Sequence, residues 1–206
     1  MSLFPHVQFL ISAAQPAQFP FDHGAEVAFA GRSNAGKSSA INVIVQRHAL
    51  ARVSKTPGRT RLLNFFEIGA DKRIVDLPGY GYAAAPEAEK RTWGPMIGAL
   101  RHRKCLRGLV LIVDSRRGVA PEDENLIAWA RQPALDAQPE GAQKDKEMLV
   151  HVLLSKADKL NRTEGQKVLR EAKATLGGTA TVQLFSALAK TGVDEAQKVL
   201  QQWTAL

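Results

Sequence analysis

Residues 31–38 carry the letters GRSNAGKS, and their types and spacing could bind phosphate. They match the pattern G-x-x-x-x-G-K-[ST], in which glycines let backbone N–H groups turn toward phosphate oxygens. Lys37 would reach the β- and γ-phosphates of a nucleotide, and Ser38 would be a Mg²⁺ ligand. The alternative is an ordinary turn between a strand and a helix. The loop follows the apolar run EVAFA and precedes a helical segment, and this context favours phosphate binding.

Three later segments indicate which nucleotide would bind. DLPG at 76–79 closes a strand, where its aspartate could hold Mg²⁺ through water and its glycine could meet a γ-phosphate. SKAD at 155–158 closes an apolar strand, and its carboxylate could accept two hydrogen bonds from the guanine N1–H and exocyclic amine. FSA at 185–187 ends the last strand, where a backbone N–H could meet the guanine oxygen. Adenine offers no such pairing, so the segments predict a guanine nucleotide.

Strand and helix patterns alternate along the chain that must position these motifs. We predict strands at 26–30, 61–69, 71–79, 108–115, 148–158 and 179–187, and helices after residue 39 and at 87–103, 121–132, 162–176 and 191–203. Alternation of this kind predicts an α/β fold of three layers, with a mostly parallel sheet between helices and one antiparallel edge strand. Gly94–Pro95 should kink or break its helix. We expect a loop at 133–146 and a single domain over 1–206.

Composition limits the class of protein. No apolar run of the 206 residues approaches the roughly 20 that a membrane span needs, and we expect no membrane partner. The N-terminus lacks the charged region of a signal peptide. Cys105 is the only cysteine, which excludes an intrachain disulfide and makes a reducing cytoplasm the simplest location. A monomer is the default expectation for the oligomeric state.

Basic residues are concentrated between positions 90 and 117. The formal net charge is +8, and this stretch holds eight Lys or Arg residues against one acid, Asp114. A solvated helix face and loop would explain such a run. The alternative is a contact surface for a polyanion such as RNA, if the stretch lies beside the nucleotide site.

The motifs in their order resemble those of translation-factor-like GTPases, which have the Ras-like P-loop fold. GRSNAGKSSAIN, KTPGRTRLLNFF, DLPGYGYA and SKAD together resemble the EngB/YihA family of bacterial GTPases, over nearly the whole chain from Phe9 to the last helix. The most specific part is PGRTRLLNFF followed closely by DLPGYGYA. Ser155 departs from the family pattern, in which the base motif usually begins with Asn or Thr; a serine hydroxyl can still bond locally.

The resemblance implies four groups of nucleotide-binding residues. The phosphate loop would comprise Gly31, Arg32, Ser33, Asn34, Ala35, Gly36, Lys37 and Ser38. A first switch would comprise Gly58, Arg59, Thr60, Arg61 and Leu62, with Thr60 joining Ser38 as a Mg²⁺ ligand. A second switch would begin with Asp76, Leu77, Pro78 and Gly79. The base would be bound by Ser155, Lys156, Ala157, Asp158, Phe185, Ser186 and Ala187.

The resemblance also implies a mechanism and a partner. Ras-type GTPases place a water-orienting glutamine just after D-x-x-G, but this chain has Tyr80 there, so intrinsic GTP hydrolysis should be slow and no catalytic side chain is assigned. Asn34 is a candidate K⁺ ligand that could replace an arginine finger, and stabilisation of the loop turn is an equal alternative. The family is implicated in assembly of the large ribosomal subunit and in cell division. The expected partners are therefore a large-subunit precursor and its rRNA, through residues 90–117.

Two other functions remain open at this point. One is a nucleotide-gated protein of septation that has no direct role on the ribosome. The other is a P-loop ATPase or kinase, against which Asp158 in the base motif argues.

Overall fold

A seven-stranded mixed sheet organises the part of the chain that the structure describes. The computed structural model describes residues 3–51, 62–80, 87–131 and 148–205, with the side chains of its third segment described from residue 94 onward. The expected first-switch residues Gly58, Arg59, Thr60 and Arg61 and the predicted loop at 133–146 lie outside these residues.

Most strands of the sheet pair in parallel. Their bounds are β1 Gln8–Ala13, β2 Ala25–Gly31, β3 Leu63–Gly69, β4 Lys72–Asp76, β5 Leu106–Asp114, β6 Leu149–Ser155 and β7 Thr181–Leu184. Their order across the sheet is β1-β3-β4-β2-β5-β6-β7. Strands β4, β2, β5, β6 and β7 pair in parallel, whereas β3 is antiparallel to both of its neighbours. The carboxyl ends of the five parallel strands therefore lie along one edge of the sheet.

Helices cover both faces of the sheet. They are α1 Lys37–Ile44, α2 Glu87–Arg101, α3 Pro121–Arg131, α4 Arg162–Leu176 and α5 Val193–Thr204. Apolar residues of α1 and α5 pack on one face, and those of α2, α3 and α4 on the other, in two separate cores. Alternate residues of β2 serve the two cores, since Val27 and Phe29 belong to one and Ala28 and Ala30 to the other. The predicted three-layer α/β fold with a mostly parallel sheet is confirmed.

Two elements differ from the expectation. The sequence pattern predicts no strand at Gln8–Ala13, yet β1 pairs with β3 and so places the antiparallel strand second from the edge. Helix α2 runs without a break through Gly94 and Pro95. A proline within a helix removes one backbone hydrogen bond, and packing of Met96, Ile97 and Leu100 into the core holds the helix together beyond that point. None of the helices among the described residues is long and apolar enough to cross a membrane.

A buried ion cluster closes the end of the sheet where the parallel strands begin. Glu26 of β2 is fully buried and accepts hydrogen bonds of 2.7 Å from Arg73 Nε and from Arg103 Nε and Nη2. The Arg103 guanidinium also lies 5.7 Å from the ring centroid of Phe19. Through Glu26, the two arginines therefore connect β2, β4 and the turn before β5.

Removal of Glu26 tests this cluster. Glu26→Ala would leave two arginines in the interior without their carboxylate, and we expect it to lower the free energy of unfolding by about 3–5 kcal/mol. Urea unfolding followed by circular dichroism measures the change. Glu171→Ala is the matched control, because Glu171 forms an exposed i,i+4 pair with Lys167 at 3.9 Å, and its loss should cost about 0.5 kcal/mol or less. Equal losses in the two variants would contradict the role given to Glu26.

Candidate nucleotide-binding site

The predicted phosphate loop joins the carboxyl end of β2 to the amino end of α1. Gly36 has φ of 101°, a left-handed conformation that L side chains rarely adopt, and this explains the second glycine of the motif. Asn34 is also left-handed, with φ of 66°. The Ala40 N–H donates to the Gly36 carbonyl at 2.9 Å, so the helical ladder starts there and leaves the first N–H groups of α1 facing the loop. This arrangement has the positive end of a helix dipole that attracts phosphate.

Lys37 and Asp76, from two separate motifs, meet at the same edge of the sheet. Asp76 ends β4 next to Phe29 of β2, and its carboxylate forms an ion pair with the Lys37 ammonium. Burial raises the pKa of Asp76, while Lys37 and a hydrogen bond from Asn64 oppose part of that rise. The structure thus places a cation and a carboxylate where the sequence predicts phosphates and Mg²⁺.

The two segments of the predicted base motif also come together. The Asp158 carboxylate accepts a 2.6 Å hydrogen bond from the Ser186 hydroxyl, and the Ala157 N–H donates to the Phe185 carbonyl at 3.0 Å. The Ser186 bond is the main cause that lowers the pKa of Asp158. Asp158 is therefore held ionised in a fixed position, as a hydrogen-bond acceptor for a base must be.

Ser155 and Lys156 link this base motif to the phosphate loop. The buried Ser155 hydroxyl lies 2.6 Å from the Ala35 carbonyl oxygen and donates to it. The Lys156 ammonium donates to the Asn34 carbonyl at 2.7 Å. The Ser155 bond gives the serine of SKAD the local bonding role that the sequence suggested. The Lys156 bond gives the Asn34 backbone a part in the loop geometry, while K⁺ binding by the Asn34 side chain stays a prediction.

Asp114 is a site residue that the sequence analysis missed. It ends β5 directly opposite Ser155, and its carboxylate accepts a 2.9 Å hydrogen bond from Lys156. Arg116 binds the same carboxylate through Nε at 2.9 Å and Nη2 at 2.7 Å. Arg116 and then Lys156 lower the pKa of Asp114 well below its usual range. An ionisable residue that closes the apolar run GLVLIVD was the available signal, because this strand ends at the same edge as β2 and β6.

The start of the second switch lies against the phosphate loop. Leu77 is buried and donates its N–H to the Phe29 carbonyl at 2.9 Å, and Pro78, Gly79 and Tyr80 continue along the loop. We find the Tyr80 side chain bonded to Asp123, which is a fixed arrangement and not that of a free loop residue. Leu62 precedes β3 at this edge, and Ala187 packs at the margin of the core on the α5 side.

The basic residues of 90–117 whose side chains the structure describes do not form one surface beside the second switch. Arg103, Lys104 and Arg107 lie where β5 begins, at the opposite end of the sheet from the phosphate loop, and Arg103 is bound by Glu26. Arg116 and Arg117 lie at the carboxyl end of β5, beside the base motif. The nine-residue strand β5 separates the two groups. These residues are close in the sequence but lie at opposite ends of the sheet, because β5 extends between them.

Removal of the Asp114 charge tests its link to Lys156. Asp114→Asn would leave Lys156 with a neutral partner in place of a carboxylate, and we expect about tenfold weaker binding of both GDP and a GTP analogue. Isothermal titration calorimetry measures both affinities. Arg116→Gln is the control, since it removes the outer cation and keeps the Asp114–Lys156 pair. An Arg116→Gln loss as large as that of Asp114→Asn would refute the importance of Lys156 positioning.

Comparisons with known proteins identify the family of this chain. A family model described as "50S ribosome-binding GTPase" matches residues 26–156. A probable GTP-binding protein EngB of Coxiella burnetii is 43% identical over 204 residues, which cover 97% of this chain and 93% of that protein. The protein of the same name from Azoarcus sp. is 48% identical over 208 residues, covering 98% and 93%.

A solved structure shares the fold. The crystal structure of a probable GTP-binding protein engB covers 88% of this chain and 99% of its own, with a TM-score of 0.65 at 22% sequence identity. These findings confirm the family that the four sequence motifs predicted. The chain belongs to the EngB family of GTP-binding proteins, which is a GTPase family.

Proposed function

We propose that this chain is a guanine-nucleotide switch that hydrolyses GTP slowly and acts in assembly of the large ribosomal subunit. Guanine-nucleotide binding is supported mainly by the hydrogen bonds that Ser155 and Lys156 of the base motif donate to carbonyls of the phosphate loop. A ligand that spans both would be a base joined to phosphates. The Asp158 carboxylate selects guanine, because guanine presents two adjacent donors to it.

The phosphate end of the site supplies charge and orientation. Lys37 would exchange its contact with Asp76 for the β- and γ-phosphates, since both anions compete for one ammonium. The N–H groups at the start of α1 would hold the phosphate oxygens in place. No side chain of the described residues is assigned as the group that orients the attacking water, and a slow intrinsic rate is part of the proposal.

The oxygen donors fit Mg²⁺. Ser38 lies in the first turn of α1 and Asp76 ends β4, and the ion pair between Lys37 and Asp76 joins these two ends. Mg²⁺ prefers oxygen ligands and usually takes one or two from protein. The described residues contain no group of three or more His, Cys, Asp or Glu that could hold a metal ion. Thr60, the other predicted Mg²⁺ ligand, lies outside the described residues. When bound, the ion would neutralise charge between the β- and γ-phosphates.

The ribosomal part of the proposal rests on the family description and on charge. The matching family model is described as ribosome-binding, and the chain carries a formal net charge of +8. Within the basic stretch we place the rRNA contact at Arg117, which is exposed at the nucleotide edge. A partner that distinguishes GTP from GDP must contact the edge where the switches lie. This partner would place the protein in the cytoplasm.

Asp158→Asn tests the guanine assignment. The amide oxygen can still accept from Ser186, so the fold should be kept, but the negative acceptor for guanine is lost. We expect GDP and GTP affinity to fall by about 100-fold or more, and xanthosine nucleotides to gain, in competition titrations. Asp194→Asn makes the same change at an exposed position of α5 and should alter neither affinity. Unchanged guanine affinity in Asp158→Asn would show that the base is bound elsewhere.

Sedimentation with purified large-subunit particles tests the partner. We expect binding with a non-hydrolysable GTP analogue and less binding with GDP. Binding should fall markedly between roughly 50 and 200 mM salt, because phosphate contacts release counterions. Arg117→Glu should weaken it, whereas Arg170→Glu, the same charge change on α4, should not. Equal binding with GDP and with the GTP analogue, or no binding in either state, would overturn the ribosomal role and favour the septation alternative.

A further inference from the structure

Tyr80 follows D-x-x-G, and the structure gives its side chain a partner outside the nucleotide site. The Tyr80 hydroxyl donates a hydrogen bond to the Asp123 carboxylate in the first turn of α3. The ring packs against the core formed with α2, α3 and α4. Burial and the Asp123 carboxylate both raise the pKa of Tyr80 far above its ordinary value, so the hydroxyl keeps its proton and remains a donor.

The backbone on the other side of Tyr80 is bonded to the phosphate loop. The Ser33 N–H donates to the Tyr80 carbonyl at 3.0 Å, and the Tyr80 N–H donates to the Gly31 carbonyl at 3.3 Å. A parallel bridge between Arg32 and Tyr80 thus extends the β2–β4 pairing past the end of β4. Gly79 lies so close to this loop that an added Cβ would be 3.1 Å from the Ser33 hydroxyl oxygen. The D-x-x-G glycine is therefore seated on the loop.

Asp123 is a rigid anchor for this arrangement. It is fully buried, and its second carboxylate oxygen accepts the Ala120 N–H at 2.9 Å at the start of α3. A second contact also joins α3 to the phosphate loop, since the Arg32 guanidinium lies 3.8 Å from the Glu122 carboxylate. Two successive residues of α3 thus hold one residue of the switch and one of the phosphate loop.

We propose that Tyr80 and Asp123 form a latch that seats Gly79 on the phosphate loop and thereby favours GDP over GTP. This proposal rests on the guanine-nucleotide function proposed above. A γ-phosphate bound by the Gly79 N–H needs space between Gly79 and the loop, where the two now touch. GDP does not extend to that point, so it binds with the latch closed. Opening for GTP breaks the Tyr80–Asp123 bond, and the ligand must supply that free energy.

Tyr80→Phe is the direct test. It keeps the ring in the core and removes only the hydroxyl, leaving one oxygen of buried Asp123 without its donor in the closed state. The closed state alone is destabilised, so the ratio of the Kd for GMPPNP, a non-hydrolysable GTP analogue, to the Kd for GDP should fall about tenfold. Calorimetric titration of the full chain with GDP and with GMPPNP, both with Mg²⁺, measures this ratio.

Asp123→Asn gives an independent route to the same quantity. Its amide oxygen can still accept the Ala120 N–H, so the start of α3 is kept, while a neutral amide faces the Tyr80 hydroxyl. The ratio should shift in the same direction, and the double variant Tyr80→Phe/Asp123→Asn should shift no further than Tyr80→Phe alone. Thr204→Val is the matched control, because it removes a buried hydroxyl that bonds the Leu200 carbonyl at 2.8 Å in α5.

The outcomes separate the latch from a structural role and from the proposed function. A shifted ratio in both latch variants with an unchanged ratio in Thr204→Val supports the latch. Equal weakening of GDP and GMPPNP, or an unchanged ratio at unchanged melting temperature, overturns it while leaving nucleotide binding intact. If the wild-type chain binds neither nucleotide, the guanine-nucleotide function fails, and the latch fails with it.

Discussion

Lys156 is the group on which the geometry of the candidate site depends most. Its ammonium bonds a carbonyl of the phosphate loop, which follows β2, and the carboxylate of Asp114, which is the last residue of β5. Parallel pairing brings these strand ends to one edge, but pairing alone would leave each loop free to move. A cation with three donors can fix two loops at once. The base and phosphate halves of the site are thereby set at one spacing before any ligand enters.

The sheet concentrates its charged groups at its two ends. Between them, β2 and β5 are almost entirely apolar and face helices on both sides. Ion pairs at the amino ends involve Glu26, Arg73 and Arg103 and are buried, which makes them costly to break. At the carboxyl ends, Lys156 of the Lys156–Asp114 pair is partly exposed, and in the proposed function Lys37 exchanges its buried partner Asp76 for a ligand. The amino ends of the parallel strands thus stabilise the fold, and the carboxyl ends are the candidate ligand site.

The fold and the main motifs could be predicted because they depend on local pattern. Buried parallel strands such as β5 and β6 give continuous apolar runs, and Gly36 marks a left-handed turn whatever surrounds it. Strand β1 could not be predicted in the same way, since its exposed Phe9 and Leu10 give no alternation toward one core. The role of Arg103 was hidden for another reason. A buried carboxylate from a strand far away in the sequence neutralises it, and no local pattern records that contact.

Asp114 and Asp123 show the same limit within the candidate site. Each acts on a residue of another motif, Lys156 in one case and Tyr80 in the other, and the sequence separates these partners by about 40 residues. A motif search finds residues that touch a ligand in a fixed spacing. It does not find the side chains that hold them, because many positions can deliver a carboxylate to the same point.

Tyr80 also bears on how hydrolysis would be completed. In the closed arrangement its hydroxyl is engaged by Asp123, so it does not orient a water molecule there as a glutamine would in its place. In the proposed function, a bound partner would supply the orienting group once GTP has opened the switch. If the proposed latch holds the second switch on the phosphate loop, that partner would have a second role, which is to keep the switch open. A ribosomal particle that binds the open switch would stabilise the GTP state and could supply the missing group, so that hydrolysis would report completed docking.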